Sequence, residues 1–241
     1  MTSTNPALIS ELRRWWLAHR ENSSALSTSW GLISLVREFL SGSLPSQRRQ
    51  RYGDIDYDWE RRVNTTSATI SWRTRFLGLL NSPYQPIPPV EFHEIMTALS
   101  IDFAQFTFID IGSGKGRALL LAAEYGFRRI IGVELLPELH QAAEENLRQM
   151  DGIPQKAAIE LVCGDATEFT LPNEPSVIFL FNPLPLPALR KLVKGIEASL
   201  QTAPRSLYIA YANPVHLEAF SGVSLLKRTG KHVKLALFAN A

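Results

Sequence analysis

The sequence predicts an α/β fold: a doubly wound sheet of seven strands, mostly parallel, ending in an antiparallel hairpin and preceded by a helical extension. Three observations predict it. From Val90 onward, short apolar runs alternate with segments of helical period. The first run ends in a glycine-rich turn, Asp110-Ile111-Gly112-Ser113-Gly114-Lys115-Gly116, that leads directly into a helix. The last two runs, 223–227 and 233–238, flank a short polar connection containing Gly230, which is hairpin spacing.

Taken in order, Leu8, Ile9, Leu12, Trp15, Trp16 and His19 recur at helical spacing over 8–20, and a second amphipathic stretch covers 29–40 before Gly42 and Pro45. Residues 47–89 break into charged, Ser/Thr-rich and Pro-rich pieces; within them 54–60, Asp-Ile-Asp-Tyr-Asp-Trp-Glu, follows neither the helical nor the strand period. So aromatic a stretch is not plain disorder, and it reads as a lid or substrate-facing loop. A helix is expected over 89–99 and strand one over 106–111. The next helix runs from Gly116 to Tyr125 and stops at Gly126, a natural C-terminal cap. Strands over 129–135, 158–164, 176–182 and 206–211 follow, with helices over 137–150 and 187–201. The domain division expected is 1–83, helical extension and lid, and 84–241, the ligand-binding α/β domain.

Composition narrows the class. The chain has 241 residues, 45% of them hydrophobic, enough for a full core. No apolar run reaches the length of a membrane span, and Glu11, Arg13 and Arg14 spoil any signal-peptide core, so a cytoplasmic protein is expected. The single cysteine, Cys163, excludes an intrachain disulfide and a cysteine-rich metal site, and no metal is expected. Cys163 itself reads as a small buried hydrophobe on its strand. The net charge of +2 is uneven: residues 1–80 carry 11 Lys+Arg against 7 Asp+Glu, residues 81–224 carry 10 against 16, and residues 225–241 carry 4 against 0. Basic ends thus flank an acidic body. The cluster Arg48, Arg49 and Arg51 is small enough for a solvated linker, and nucleic acid is the minority reading for a partner.

The chemistry-bearing residues fall at successive strand ends. Glycines at 112, 114 and 116 permit positive φ and close backbone approach, and the helix that follows presents free N–H groups to a ligand. Glu134 closes the second strand 18 residues after the last glycine, where a carboxylate can accept ribose hydroxyls. Asp165, at the end of the third strand, can accept from an adenine amino group or else cap the following turn. After the fourth strand come Asn182-Pro183-Leu184-Pro185; amide and carbonyl acceptors there can orient a neutral amine with its lone pair free. Two prolines that end a strand and open a helix are the plainer reading of the same residues. Tyr84, in Tyr84-Gln85-Pro86, lies either over the ligand or in a mere connector, and His216, after the fifth strand, reads as structural rather than as a base.

At this point the residues resemble a known group, the class I S-adenosylmethionine-dependent methyltransferases, over about residues 84–241. The glycine loop at 110–116, Glu134 and the Gly164-Asp165 step carry the resemblance. It implies a Rossmann-like fold, S-adenosyl-L-methionine as cofactor, and a binding set of Tyr84, Asp110, Gly112, Ser113, Gly114, Gly116, Glu134, Leu135, Asp165, Ala166 and Asn182, with Asn182 and Pro183 at the reacting centre. Within that class the chain also resembles the non-SET histone-lysine methyltransferases: Tyr84-Gln85-Pro86 is similar to their Tyr-Glu-Pro entry and Gly112-Ser113-Gly114 to their loop. Where they carry Asn-Phe-Ala-Phe, this chain has Asn182-Pro183-Leu184-Pro185, closer to the Asn-Pro-Pro-aromatic loop of amino-group methyltransferases but with no aromatic. Both comparisons imply N-methylation of a protein or small-molecule amine. Two other classes share some of these features. A nicotinamide-dependent oxidoreductase would want glycine at 117, where this chain has Arg117. A non-catalytic cofactor-binding scaffold would use the basic ends to dock a partner.

Overall fold

The computed structural model describes residues 13, 15–17, 20, 24–41, 55–66, 84–149, 158–181, 183–229 and 235–240. The chain divides into two compact units, residues 1–53 with 66–85 and residues 54–65 with 86–241.

In the first unit, helix α1 spans Ala25–Ser41, four residues earlier at its start than the expected 29–40. Ser24 opens it: its hydroxyl accepts from Ser27 N–H, one of the amides a helix leaves unpaired at its first turn. Of the helix expected over 8–20, residues 13, 15–17 and 20 are helical and the rest lie outside the described residues.

The second unit begins with a short helix, α2 (Ile55–Arg61), followed by a turn at Arg62 and irregular residues to Thr65. This corrects the reading of 54–60 as aperiodic loop. Its buried face is formed by the polar Asp58 with half-buried Tyr57 and Arg61, so the burial that makes it a helix leaves no hydrophobic period in the sequence. Helix α3 (Pro89–Leu99) follows, with proline at its first turn and Phe92, Ile95, Met96 and Leu99 buried.

The sheet comprises β1 (Thr107–Ile111), β2 (Arg129–Glu134), β3 (Ala158–Cys163), β4 (Ser176–Phe181), β5 (Leu207–Ala212), β6 (Leu226–Arg228) and β7 (Leu235–Asn240), in the order β3-β2-β1-β4-β5-β7-β6. The first five are parallel. β7 inserts antiparallel between β5 and β6. That is the predicted seven-stranded sheet with its terminal hairpin, although the expected turn at Gly230 falls outside the described residues. Helices α4 (Arg117–Ala122), α5 (Pro137–Gln149) and α6 (Leu186–Thr202) make the crossovers.

Both faces of the central strands are covered, which is why β1 and β4 read as continuous apolar runs. Alternate residues feed two cores. Ile109, Ile111, Ile178 and Leu180 pack with Leu189, Val193 and Ile196 of α6; Phe108, Val177 and Phe179 pack with Phe92 of α3 and Leu119 of α4. β3 is the sheet's edge, and Cys163 at its end is exposed, which corrects the expectation of a buried thiol. Among the described residues no helix is long and apolar enough to cross a membrane.

Candidate functional site

Parallel register brings the strand ends to one edge. Asp110 pairs with Gly132 of β2 and Phe179 of β4, Glu134 pairs with Cys163 of β3, and Phe181 pairs with Ala212 of β5. The segments that follow β1 to β5 therefore emerge side by side, at the point where strand order reverses between β1 and β4, which is where open α/β sheets bind ligands. Asp110, Gly112, Ser113, Gly114, Gly116, Glu134, Leu135, Asp165, Ala166 and Pro183 all lie on this edge. Asn182 lies outside the described residues, and Tyr84 belongs to the other compact unit.

The glycine loop needs its glycines. Gly112, Gly114 and Gly116 have φ of 74°, 56° and 85°, in the left-handed region that side chains disfavour. Gly112 and Ser113 donate their amides to Val133 O at 2.8 and 3.0 Å, folding the loop over β2. From Thr107 to Ala123 every residue is buried except Gly112, so the loop's one opening is backbone. A Cβ on Gly112 would stand 2.6 Å from Cβ of Pro183, so the loop after β1 and the loop after β4 touch at this point.

Glu134 is a structural partner of that loop as well as a candidate ribose acceptor. Its Oε2 accepts Gly114 N–H at 2.8 Å and its Oε1 accepts Leu136 N–H at 2.8 Å. Each carboxylate oxygen has a second lone pair, so these bonds leave room for ribose hydroxyls. Burial raises its pKa, opposed by the amides of Leu136, Gly114 and Leu135 and by His140. Burial, with the nearby Glu134 charge, pushes Asp110 up to about 8, so its carboxyl is held protonated at neutral pH.

Asp165 takes the capping role foreseen as its alternative: its Oδ1 accepts both the amide and the hydroxyl of Thr167 at 2.8 Å. After β5, the hydroxyl of Tyr211 accepts His216 N–H at 3.2 Å, while the imidazole Nδ1 lies 3.4 Å from Glu218 Oε1. His216 thus shapes its loop through its backbone. Sequence reasoning missed Gly132, whose Cβ would stand 2.5 Å from Leu119 Cδ1 and 2.9 Å from Ser113 Oγ. It also missed the burial of Lys115 and Arg117; the one available signal was a charge in the otherwise apolar Arg-Ala-Leu-Leu-Leu-Ala helix.

These residues suit a polar, nucleoside-bearing ligand. Ser113 Oγ is buried with no hydrogen-bond partner among the described residues, an arrangement that costs about 1–3 kcal/mol unless something else pairs with it. Beside it lie the backbone window at Gly112 and two buried carboxyls. Asp110, Glu134 and the Ser113 hydroxyl would hold such a ligand's polar groups.

Residues 108–202 match the family model of a methyltransferase domain. No curated protein matches the chain. Among solved structures it is similar to an RNA methyltransferase from Salinibacter ruber in complex with S-adenosyl-L-homocysteine, at 20% identity over 64% of this chain and 91% of that one, TM-score 0.46. It is likewise similar to a TehB-like S-adenosylmethionine-dependent methyltransferase from Corynebacterium glutamicum, at 16% identity over 65% and 90%, TM-score 0.43. A tRNA methyltransferase from Aquifex aeolicus shares 16% identity over 65% and 70%, TM-score 0.45. The sheet order, the glycine loop with its acidic partner on β2 and the domain match define an enzyme of the methyl-transferring α/β class. Residues 108–202 thus form a methyltransferase domain on a Rossmann-like sheet, with S-adenosyl-L-methionine as the cofactor.

Proposed function

We propose that this enzyme is an N-methyltransferase acting on an amine, with a protein lysine as the favoured acceptor and nucleic acid disfavoured. The observation that carries the reading is the loop Asn182-Pro183-Leu184-Pro185 at the end of β4, with Pro183 packed against the Gly112 window of the cofactor loop. The bound cofactor supplies an electrophilic methyl on a sulfonium. What the protein must then add is position: a neutral amine aimed in line with that methyl. The amide oxygen of Asn182 and the loop carbonyls would accept the amine's N–H groups and leave its lone pair free. A lysine amine is mostly protonated at neutral pH, so its ammonium proton would go to solvent before the lone pair could attack. Selection of the acceptor is assigned to the segments of 47–89 outside residues 55–65.

The test is incubation of the purified chain with methyl-labelled cofactor and cell lysate, followed by parallel protease and nuclease digestion. Label that protease releases as methyl-lysine supports the reading. Label that nuclease releases replaces the acceptor with RNA or DNA.

A further inference from the structure

We propose that the strap formed by residues 55–65, which lies outside the span matched by the methyltransferase-domain family, positions the glycine loop and thereby sets cofactor affinity. The inference uses the assigned cofactor and is independent of the acceptor.

The strap is tied to the loop by two sets of polar contacts. In the first, Arg117, the residue immediately after Gly116 and only 2% exposed, donates from Nη2 to Asp58 Oδ1 at 3.0 Å and from Nε to Thr65 Oγ1 at 2.6 Å. The Thr65 hydroxyl donates to Asp58 Oδ1, and its amide donates to Asp58 Oδ2 at 2.7 Å. The ring of Tyr57 lies 5.1 Å from the guanidinium carbon, closing the other side. In the second, Asn146 of α5 works as a bridge. Its Oδ1 accepts Asn64 N–H at 2.7 Å, and its Nδ2 donates to Asn64 O at 3.1 Å and to Lys115 O at 2.9 Å. Lys115 Nζ donates in turn to Asn64 Oδ1 at 3.2 Å.

Lys115 and Arg117 bracket Gly116, and Gly114 is held from the opposite side by Glu134. The loop is therefore gripped from two directions, by β2 through a carboxylate and by the strap through Asn64, Asp58 and Thr65. The strap's apolar contacts are Val63 against Leu120 and Tyr57 against both that pair and the larger core around Phe92, and the polar ties add direction to them. A buried ion pair is weak evidence of stabilisation, but its directional hydrogen bonds constrain the geometry of both partners. Its two ends touch the residues that shape the cofactor loop. Asp58, Asn64 and Asn146 are thus positioning residues, acting on the cofactor through Lys115 and Arg117.

The test is isothermal titration of the full chain with S-adenosylhomocysteine, reading both Kd and stoichiometry, for wild type, Asp58→Asn, Asn146→Ala and Asn64→Ala. Positioning predicts unchanged stoichiometry with Kd raised about tenfold for Asp58→Asn and Asn146→Ala, and a few-fold for Asn64→Ala, each lost bond being worth a factor of a few. A merely structural strap predicts the reverse, reduced stoichiometry at unchanged Kd, and that result overturns the inference. Asn64 is exposed and loses its side-chain bond from Lys115, so Asn64→Ala decides the matter if the buried variants do not fold. Failure of wild type itself to bind would instead strike at the cofactor assignment.

Discussion

The carboxylate of Glu134 and the amide of Gly114 form a 2.8 Å hydrogen bond that joins the end of β2 to the turn after β1. One side chain thus holds the loop and faces the ligand edge. Replacing it by alanine removes both functions, and we expect Glu134→Ala to weaken cofactor binding by about 10- to 100-fold, the range for charge-assisted bonds. Glu134→Gln keeps one amide acceptor and should fall between. A calorimetric titration of the three proteins gives the order.

Gly112 and Gly126 separate backbone strain from steric contact. Both have positive φ, 74° and 72°, but a Cβ at Gly126 meets nothing within 4 Å, whereas at Gly112 it meets Pro183 at 2.6 Å. Gly126→Ala should cost about 1 kcal/mol of stability and spare binding. Gly112→Ala should cost more and abolish cofactor binding, because relief of the clash requires the two loops to separate. Urea denaturation beside a binding assay checks the pair.

Asp110 sets a pH signature. Its pKa rises from 3.8 in the unfolded chain to about 8 in the fold, so its contribution to stability is fully present below 3.8 and is lost as pH rises to about 8. Over that window the slope approaches about 1.4 kcal/mol per pH unit. Lys115, lowered by burial to about 8, acts in the opposite sense but only above that pH, where the fold releases its proton first. Asp110→Asn should therefore gain on wild type steadily from acid to neutral pH. Parallel stability curves for the two proteins would remove the buried-acid assignment.

Asp58→Ala leaves Arg117 buried without its carboxylate. Breaking one partner of such a pair costs about 3–5 kcal/mol, far more than the loss of an exposed pair such as Arg61 with Glu124. Thermal unfolding of Asp58→Ala and Glu124→Ala should show a large and a negligible fall in Tm.

Much of this was legible in the sequence for a specific reason. A parallel sheet covered on both faces writes each strand as an apolar run, and its ligand edge is wherever those runs stop, so Asp110, Glu134, Asp165 and Pro183 could be placed by counting. The strap could not be read the same way. Asp58 and Thr65 are buried, and Asn64 is held, by polar pairing with Lys115, Arg117 and Asn146, and a pairing across 82 residues, as from Asn64 to Asn146, has no local period. Cys163 was misjudged because a strand's place at the sheet edge follows from strand order, which no single strand encodes. Asp165 carried two possible roles, and its turn with Thr167 shows the local one.

The measurement that bears most directly on the account is titration of the wild-type chain with S-adenosylhomocysteine and, separately, with NAD. The account predicts one-to-one binding of S-adenosylhomocysteine, weakened about 10- to 100-fold in Glu134→Ala, and no binding of NAD. Binding of NAD with none of S-adenosylhomocysteine would contradict it.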